Sequence, residues 1–214
     1  MINTSLTDYE MNLVTDAQVL ITKNIIIQKV YSLFAELAEE YKYELNSKVP
    51  DSNNLINPKI SRGENYLGLP YVMLDYPRQF GKDDVFAIRS FFWWGNFFSI
   101  TLQLKGKYLQ QYSSAIKNSL SKSCFADWYI GTGDNQWDHH FESNNYLPVI
   151  GEAEFNLVGN PFFKLAKKIP LASWNEASSF FTENFKMLIG TIAPTPQCGE
   201  TNLLPGTPTT GFDL

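Results

Sequence analysis

The chain is poor in the residues that define several common classes of protein. Among its 214 residues there are two cysteines, Cys124 and Cys198, and two histidines, His139 and His140. Two cysteines build neither a disulfide framework nor a paired-cysteine metal clip, so we expect both to be reduced thiols. The sequence also lacks any run of about 18 apolar residues, which excludes a transmembrane helix on hydropathy grounds.

The beginning of the chain lacks the pattern of a secretory signal. Residues 1–5 contain no basic region that is followed by an apolar stretch. Together with the expected reduced cysteines, this predicts a soluble cytoplasmic protein with no membrane partner.

Charge is modest and is divided unevenly along the chain. The 22 acidic residues outnumber the 17 basic ones, and an acidic protein is a poor general binder of nucleic acid. Residues 59–126 carry nine bases and four acids, whereas residues 127–163 carry six acids and no lysine or arginine. Either the two blocks face each other across the fold, or one lines an anion site and the other a cation site.

Apolar and aromatic residues are plentiful enough for a substantial core. Hydrophobic residues make up 44% of the chain and aromatic residues 15%. A chain of this length buries roughly two thirds of its unfolded surface on folding. We therefore predict one α+β domain over residues 1–190, followed by an extended tail over residues 191–214. Four prolines interrupt that tail: Pro194, Pro196, Pro205 and Pro208.

Helical signals occur at both ends of this domain. Thr15 and Gln18 have the spacing of a capping box, which predicts a long helix that starts near Thr15 after a frayed N-terminus. Apolar residues then recur on one helical stripe: Leu20, Ile27, Val30, Phe34, Leu37, Tyr41 and Leu45. Further helices are predicted over residues 107–120, over residues 174–189 with an end at Gly190, and from Asn160-Pro161 to about Lys168.

The middle of the chain predicts a mostly antiparallel sheet centred on a hairpin over residues 85–104. Two apolar runs, residues 85–94 and 97–104, flank Gly95-Asn96. Two turn residues between two such runs indicate a tight hairpin. Further strands are predicted over residues 69–76, 128–130, 136–141 and 152–158.

A two-residue turn also predicts which side chains share a face of the hairpin. Trp94 is then opposite Phe97, and Arg89 is opposite Leu102 on an otherwise apolar face. The second face mixes aromatic rings with small polar groups: Trp94, Phe92, Phe97, Ser99, Thr101 and Gln103. Such a face suits a sugar, a nucleobase or another flat polar ligand, unless helices cover it.

The three arginines of the chain, Arg62, Arg78 and Arg89, fall close together in the sequence. Guanidinium groups bind carboxylates and phosphates through two parallel hydrogen bonds. Because Arg89 is predicted on the apolar face, it needs a carboxylate partner, and Asp75 and Glu64 are the nearest candidates. The set therefore forms either an anion-binding cleft or, through Arg89, a structural ion pair.

We predict from these observations a non-catalytic binding protein whose cleft takes a small polar or anionic ligand. The sequence indicates neither a catalysed reaction nor a cofactor. The predicted cleft combines the three arginines with one carboxylate and the mixed face of the hairpin: Arg62, Arg78, Arg89, Asp75, Trp94, Phe92, Thr101 and Gln103.

Two alternative functions stay open on the sequence alone. On a strand, Asp138 and His140 share a face, and with Glu152 they would hold a divalent ion for a metal-assisted hydrolase. Their spacing matches no zinc motif. The other alternative is an interaction module whose tail, residues 191–214, docks on a partner or on a second copy. The sequence does not predict the oligomeric state.

Overall fold

The computed structural model of the chain describes residues 4–48, 57–120, 125–149 and 161–192. Across these ranges four α-helices accompany one antiparallel sheet of seven strands, which confirms the predicted α+β fold. The helices are α1 (Asp8–Thr15), α2 (Ala17–Lys48), α3 (Lys107–Leu120) and α4 (Ala177–Ile192). The strands are β1 (Lys59–Tyr66), β2 (Leu69–Phe80), β3 (Val85–Trp93), β4 (Phe97–Lys105), β5 (Tyr129–Gly131), β6 (Tyr146–Pro148) and β7 (Phe162–Pro170). Within the described residues, no helix is long and apolar enough to cross a membrane.

The strands follow the order β1-β2-β3-β4-β7-β5-β6 across the sheet. The last of the described strands, β7, therefore lies inside the sheet, between β4 and β5. The predicted short helix from Asn160-Pro161 to Lys168 is wrong over this segment. The side chains of this segment alternate between the two faces of the sheet, with Phe163 and Leu165 buried on one face. Nine residues pair with β4, and this pairing outweighs the local signal for a helix start at Asn160-Pro161.

The β3–β4 hairpin turns through three residues rather than two. Trp94, Gly95 and Asn96 form the loop, Gly95 has a φ of 71°, and Trp93 pairs with Phe97. The predicted pairing of Trp94 with Phe97 is therefore wrong. Because side chains alternate between faces, the extra loop residue moves every side chain of β3 to the opposite face relative to β4.

The face of the sheet that α2, α3 and α4 cover, here called the helix face, carries the main core. From Ile27 onward the predicted stripe of α2 is buried, whereas Leu20 is exposed. Tyr41 stacks on Phe185 of α4 with ring centroids 3.7 Å apart, and its hydroxyl hydrogen-bonds to Ser90 Oγ of β3 at 2.9 Å. These contacts join helix α2 to both α4 and the sheet.

The N-terminal helices differ from the prediction. Residues 8–15 form α1 instead of a frayed segment, and Thr7 and Glu10 make its capping box. The predicted capping box at Thr15 is wrong, because the hydroxyl of Thr15 donates back to Met11 O at 2.8 Å. Asp16 caps the N-terminus of α2 instead, and its carboxylate accepts a hydrogen bond from the backbone N–H of Gln18 at 2.9 Å.

The opposite side of the sheet, here called the loop face, is covered by residues 132–145, which connect β5 to β6. A second core forms there from buried and partly buried side chains of sheet and loop: Phe91, Trp93, Phe97, Tyr66, Leu69, Tyr71, Met73 and Phe141. The predicted strand over residues 136–141 is wrong, because these residues lie across the sheet instead of joining it. This part of the acidic block therefore faces strands of the basic block.

Other predictions have mixed outcomes. Helix α3 matches the predicted residues 107–120, whereas α4 continues through Gly190 to Ile192, and β1 was not predicted. Several predicted features lie outside the described residues: Cys124, Cys198, Glu152, the strand over 152–158 and the tail from residue 193 onward.

Candidate functional site

The predicted cleft residues are divided between the two faces of the sheet. Phe92 lies on the helix face, and Trp94 packs against the same core. The other hairpin residues and Asp75 lie on the loop face, where Arg89 pairs with Thr101 and not with Leu102. The predicted mixed face of Phe92 and Trp94 with Thr101 and Gln103 is therefore wrong.

The three arginines do not line one cleft. Arg62 is exposed and pairs in register with Val72, whose side chain is buried on the helix face. Arg78 lies on the loop face, and its Nε donates to the backbone oxygen of Asn57 at 2.9 Å. Only Arg89 enters the buried interior, so a shared arginine cleft is not formed.

Arg89 makes a buried ion pair with Asp75 on the neighbouring strand, one of its two predicted partners. Its Nε and Nη2 atoms donate to the two carboxylate oxygens at 2.6 and 3.0 Å. The other predicted partner, Glu64, instead pairs with Lys23 of α2. The Arg89 charge is therefore neutralised within the sheet, and its fork geometry is satisfied by protein.

The remaining surroundings of Arg89 come from the covering loop. Nη1 lies 3.1 Å from Nε2 of His139, and the guanidinium carbon lies 5.9 Å from the ring centroids of both Phe80 and Trp137. Burial lowers the pKa of His139 well below its usual value, and the positive charges of Arg89 and Lys164 lower it further. Arg89 thus attaches the loop to the sheet.

Tyr66 holds the same loop from the edge of the sheet. Its hydroxyl oxygen accepts hydrogen bonds from the backbone N–H groups of His139 and His140, at 2.6 and 3.0 Å. Burial raises the pKa of Tyr66, although these two donors counteract part of the rise. The backbone of the loop is therefore positioned by a side chain of β1.

Lys164 of β7 is a buried cation beneath the loop. Its ammonium donates to the backbone oxygen of Asp138 and to Oδ1 of Asn145, both at 2.9 Å, and lies 4.5 Å from the ring centroid of Tyr146. Burial lowers its pKa to about 8; Asp138 opposes this shift and the charge of Arg89 adds to it. No carboxylate among the described residues forms an ion pair with Lys164.

The polar residues of β4 complete this network. Gln103 donates from Nε2 to Oε1 of Gln136 in the loop at 3.1 Å. Thr101 hydrogen-bonds to the hydroxyl of Tyr146, whose pKa is raised chiefly by burial. Arg89 and Gln103 therefore hold residues 132–145 on the sheet, whereas Thr101 contacts Tyr146 of β6 and Asp75 contacts Arg89.

The metal-site alternative has no support within the described residues. Asp138 accepts from the side-chain amide of Asn135 at 2.8 Å, and Nδ1 of His140 is buried with no hydrogen-bond partner. Glu152 lies outside the described ranges. Within those ranges, no three histidine, cysteine, aspartate or glutamate side chains come together as metal ligands do.

A surface pocket of about 400 Å³ lies where β7 ends beside the β3–β4 hairpin loop. We call it the lysine pocket. Eight residues line it: Asn96, Phe97, Asp127, Tyr129, Lys167, Lys168, Ile169 and Pro170. It combines apolar walls with a few polar groups, the usual composition of a small-molecule site.

The two lysines of this pocket differ in their partners. Nζ of Lys167 forms an ion pair with Asp127 at 2.6 Å. Nζ of Lys168 lies 4.7 Å from the ring centroid of Phe141 and 5.5 Å from the centroids of Phe97 and Tyr129. Within the described residues, no carboxylate lies within 4 Å of the Lys168 ammonium.

Sequence reasoning missed the lysine pocket. Lys167-Lys168 was predicted at the end of a helix. Neighbouring residues of a helix do not alternate between two opposite faces as neighbouring residues of a strand do. On β7 the two lysines alternate, so only Lys168 shares the loop face with Phe97 and Tyr129. Alternation of apolar residues at Phe163 and Leu165 is the signal that favours a strand here.

Comparison of the chain with protein families, with characterised proteins and with solved structures finds no match. The choice of a candidate site therefore rests on the chain's own residues. In the network beneath residues 132–145, Arg89 and Lys164 already have protein partners. In the lysine pocket, a cation faces a surface cavity without a carboxylate partner from the described residues, which makes this pocket the candidate site.

Proposed function

We propose that the chain binds a small organic anion, a carboxylate or phosphate with a flat apolar body, in the lysine pocket. The observation that carries the proposal is the Lys168 ammonium, which is surrounded by three aromatic rings and has no carboxylate partner among the described residues. The proposal keeps the predicted ligand class of a small polar or anionic molecule. It replaces the predicted arginine cleft with the lysine pocket, in which Lys168 is the cation.

The electrostatics of the pocket favour an anion. The Lys168 residue is half-buried, and cation–π contacts contribute on the order of 0.5–2 kcal/mol each. A ligand oxyanion would supply a charge-assisted hydrogen bond, the stronger kind. Lys167, Lys168 and Asp127 together carry a formal charge of +1, which one negative charge on the ligand would balance.

The walls of the pocket restrict the rest of the ligand. Phe97 and Tyr129 present rings, and Ile169 and Pro170 present aliphatic surface, so a flat apolar body suits the space between them. The volume of about 400 Å³ is at the small end of the range for ligand sites. We propose binding rather than catalysis because the one carboxylate among the eight lining residues, Asp127, is already paired with Lys167.

The midpoint of thermal unfolding tests the proposal. It is measured at constant ionic strength with benzoate, phenyl phosphate or inorganic phosphate added. We expect benzoate and phenyl phosphate to raise the midpoint in a concentration-dependent manner, because ligands that bind the folded state stabilise it. Benzamide, which has the same flat body and no charge, should produce a much smaller shift.

Variants separate the pocket from general anion binding. Lys168→Met keeps an unbranched apolar side chain among the three rings and removes the charge, so it should abolish the shift with benzoate. Lys117→Met removes a charge from the exposed side of α3 and should keep the full shift. The proposal is wrong if no organic anion stabilises the protein, or if Lys168→Met responds as the wild type does.

A further inference from the structure

Phe141 connects the covering loop, residues 132–145, with the lysine pocket. Its ring centroid lies 4.7 Å from Nζ of Lys168, the shortest of the three ring distances around that ammonium. The other two rings, Phe97 and Tyr129, belong to strands β4 and β5 and line the pocket. The cation of the pocket is therefore held in part by a side chain that the loop supplies.

The ring of Phe141 is packed among rings of the sheet. It stacks on Tyr146 of β6 with centroids 4.6 Å apart, and it meets Phe97 and Tyr129 edge to face at 5.1 and 5.0 Å. Of the described side chains, Phe141 alone brings the covering loop into the second core of the loop face. If the loop leaves the sheet, Lys168 keeps only the two rings of the strands.

The backbone on both sides of Phe141 is fixed by hydrogen bonds. Before it, the N–H groups of His139 and His140 donate to the hydroxyl of Tyr66 at 2.6 and 3.0 Å. Directly after it, the backbone oxygen of Glu142 accepts two N–H groups of the turn that leads into β6, both at 2.9 Å. The ring of Phe141 therefore reaches the ammonium of the pocket only while the covering loop is docked on the sheet.

The covering loop has the properties of a segment that opens locally. It contains no helix and no strand, although all of its residues are described. Its attachments to β3 and β7 are polar: Nη1 of Arg89 contacts His139, and Nζ of Lys164 donates to the backbone oxygen of Asp138. Segments with few buried apolar contacts open at a lower free energy than the core does. Docking of the loop is therefore an equilibrium that a ligand can shift.

We propose that docking of residues 132–145 completes the lysine pocket, so that loop docking and anion binding stabilise each other. Phe141 is the positioning residue that connects the two, because it keeps the ammonium of Lys168 among the aromatic rings. A side chain that is already held in place loses less freedom on binding than one that moves in water. This inference rests on the proposed function. Because coupling between two equilibria is reciprocal, the ligand must also protect the loop.

Hydrogen exchange of the backbone N–H groups of His139 and His140, measured with and without benzoate, tests the proposal. A ligand that binds only the docked state lowers the population of the open state in proportion to its concentration above Kd. At ten times Kd, we expect exchange at both amides to slow about tenfold. The N–H of Met11, which donates to Thr7 O at 2.9 Å in the exposed helix α1, should exchange at an unchanged rate.

Variants of two aromatic residues of the covering loop identify the residue that carries the coupling. Each variant is measured at ten times its own Kd for benzoate. Phe141→Leu keeps an apolar side chain but removes the ring beside Lys168, so benzoate should no longer slow the exchange of the loop amides. Trp137→Leu is the matched control, because Trp137 packs on Phe80 and does not line the pocket. This variant should keep the roughly tenfold protection.

The outcomes separate this inference from the proposed function. If benzoate raises the midpoint of thermal unfolding but leaves the exchange of His139 and His140 unchanged, the coupling is overturned and the proposed function stands. Equal protection in the wild type and in Phe141→Leu also overturns the coupling, because benzoate then acts on unfolding of the whole chain. If benzoate causes no shift of the midpoint and no protection of the loop amides, both proposals are wrong.

Discussion

Nη1 of Arg89 lies 3.1 Å from Nε2 of His139, and this contact joins the third strand of the sheet to the loop that covers it. Because arginine keeps its proton, Nε2 of His139 is the acceptor, and the imidazole is neutral with its proton on Nδ1. Burial, followed by the charges of Arg89 and Lys164, lowers the pKa of His139 well below 6.5. Protonation of His139 therefore disrupts its contact with Arg89 and weakens the attachment of residues 132–145 to the loop face.

The first prediction concerns the dependence of stability on pH. In the unfolded chain His139 takes up a proton near its ordinary pKa of 6.5, whereas in the folded chain it does so only at lower pH. The unfolded state therefore binds more protons below about pH 6.5, and the free energy of unfolding falls as the pH drops through that window. Urea unfolding between pH 7.5 and pH 5 should show a larger loss for the wild type than for His139→Gln.

The adjacent histidine provides the control for this experiment. His140→Gln leaves the Arg89–His139 contact in place, so this variant should retain the additional loss of stability at acidic pH. If wild type and His139→Gln lose stability in parallel over the same range, His139 is not the neutral acceptor of Arg89.

The second prediction concerns the buried ion pair of Arg89 and Asp75. The side chains are 8% and 6% exposed, so Asp75→Asn leaves a guanidinium without a counter-charge in the sheet. Removing one partner of a buried pair costs on the order of 3–5 kcal/mol. The free energy of unfolding from a denaturant titration at pH 7 should fall by about that amount.

Glu64→Gln is the matched control for Asp75→Asn. Glu64 pairs with Lys23, but its side chain is 61% exposed. Exposed pairs contribute about 0–1 kcal/mol, so this variant should remain close to the wild type. Equal effects of the two substitutions would contradict the assignment of Asp75 as the partner of Arg89.

The third prediction concerns the hydroxyl of Tyr66. In Tyr66→Phe the backbone N–H groups of His139 and His140 lose their shared acceptor, and an unsatisfied buried donor costs about 1–3 kcal/mol. The loop should open more often, so hydrogen exchange at these two amides should accelerate by roughly 5-fold to 150-fold.

Tyr71→Phe is the comparison for Tyr66→Phe. Tyr71 packs against the same aromatic rings, but its hydroxyl makes no hydrogen bond to any described residue. The exchange of the loop amides should therefore stay at the wild-type rate. Faster exchange in both variants would assign the effect to ring packing and not to the hydroxyl of Tyr66.

The sequence predicted the elements of the hairpin better than the faces of its side chains. The two apolar runs on either side of Gly95 are evident in the sequence. They do not specify whether the loop between them has two residues or three, because that choice depends on the local energy of the turn. One residue was enough to exchange the faces of β3. Asp75 was nevertheless predicted as a partner of Arg89, because a buried charge requires a carboxylate on either face.

The lysine pocket depends on contacts between distant parts of the chain. Phe97, Tyr129 and Phe141 come from separate segments, and they surround Lys168 only because β7 lies between β4 and β5. Local patterns contain no information about that strand order. The helical stripe of α2 was predictable from Ile27 onward for the opposite reason, since its period is set within one helix.

The final prediction compares one substitution at two glycines. A Cβ atom at Gly131 would lie 2.8 Å from both Cβ and Cε of Lys164. Cε can rotate away, but Cβ is fixed to the backbone of β7, so the strands themselves must shift. Overpacking of this kind costs typically 1–3 kcal/mol, and we expect Gly131→Ala to lower the free energy of unfolding by about that amount.

At Gly190 the same substitution should have the opposite sign. A Cβ atom there meets nothing within 4 Å, and the residue lies inside helix α4. Alanine is favoured over glycine in a helix by about 0.5–1 kcal/mol, so Gly190→Ala should stabilise the protein. Parallel denaturant titrations of the two variants measure both effects. A neutral Gly131→Ala would show that the Lys164 side chain does not lie across Gly131. A destabilising Gly190→Ala would show that α4 does not continue to Ile192.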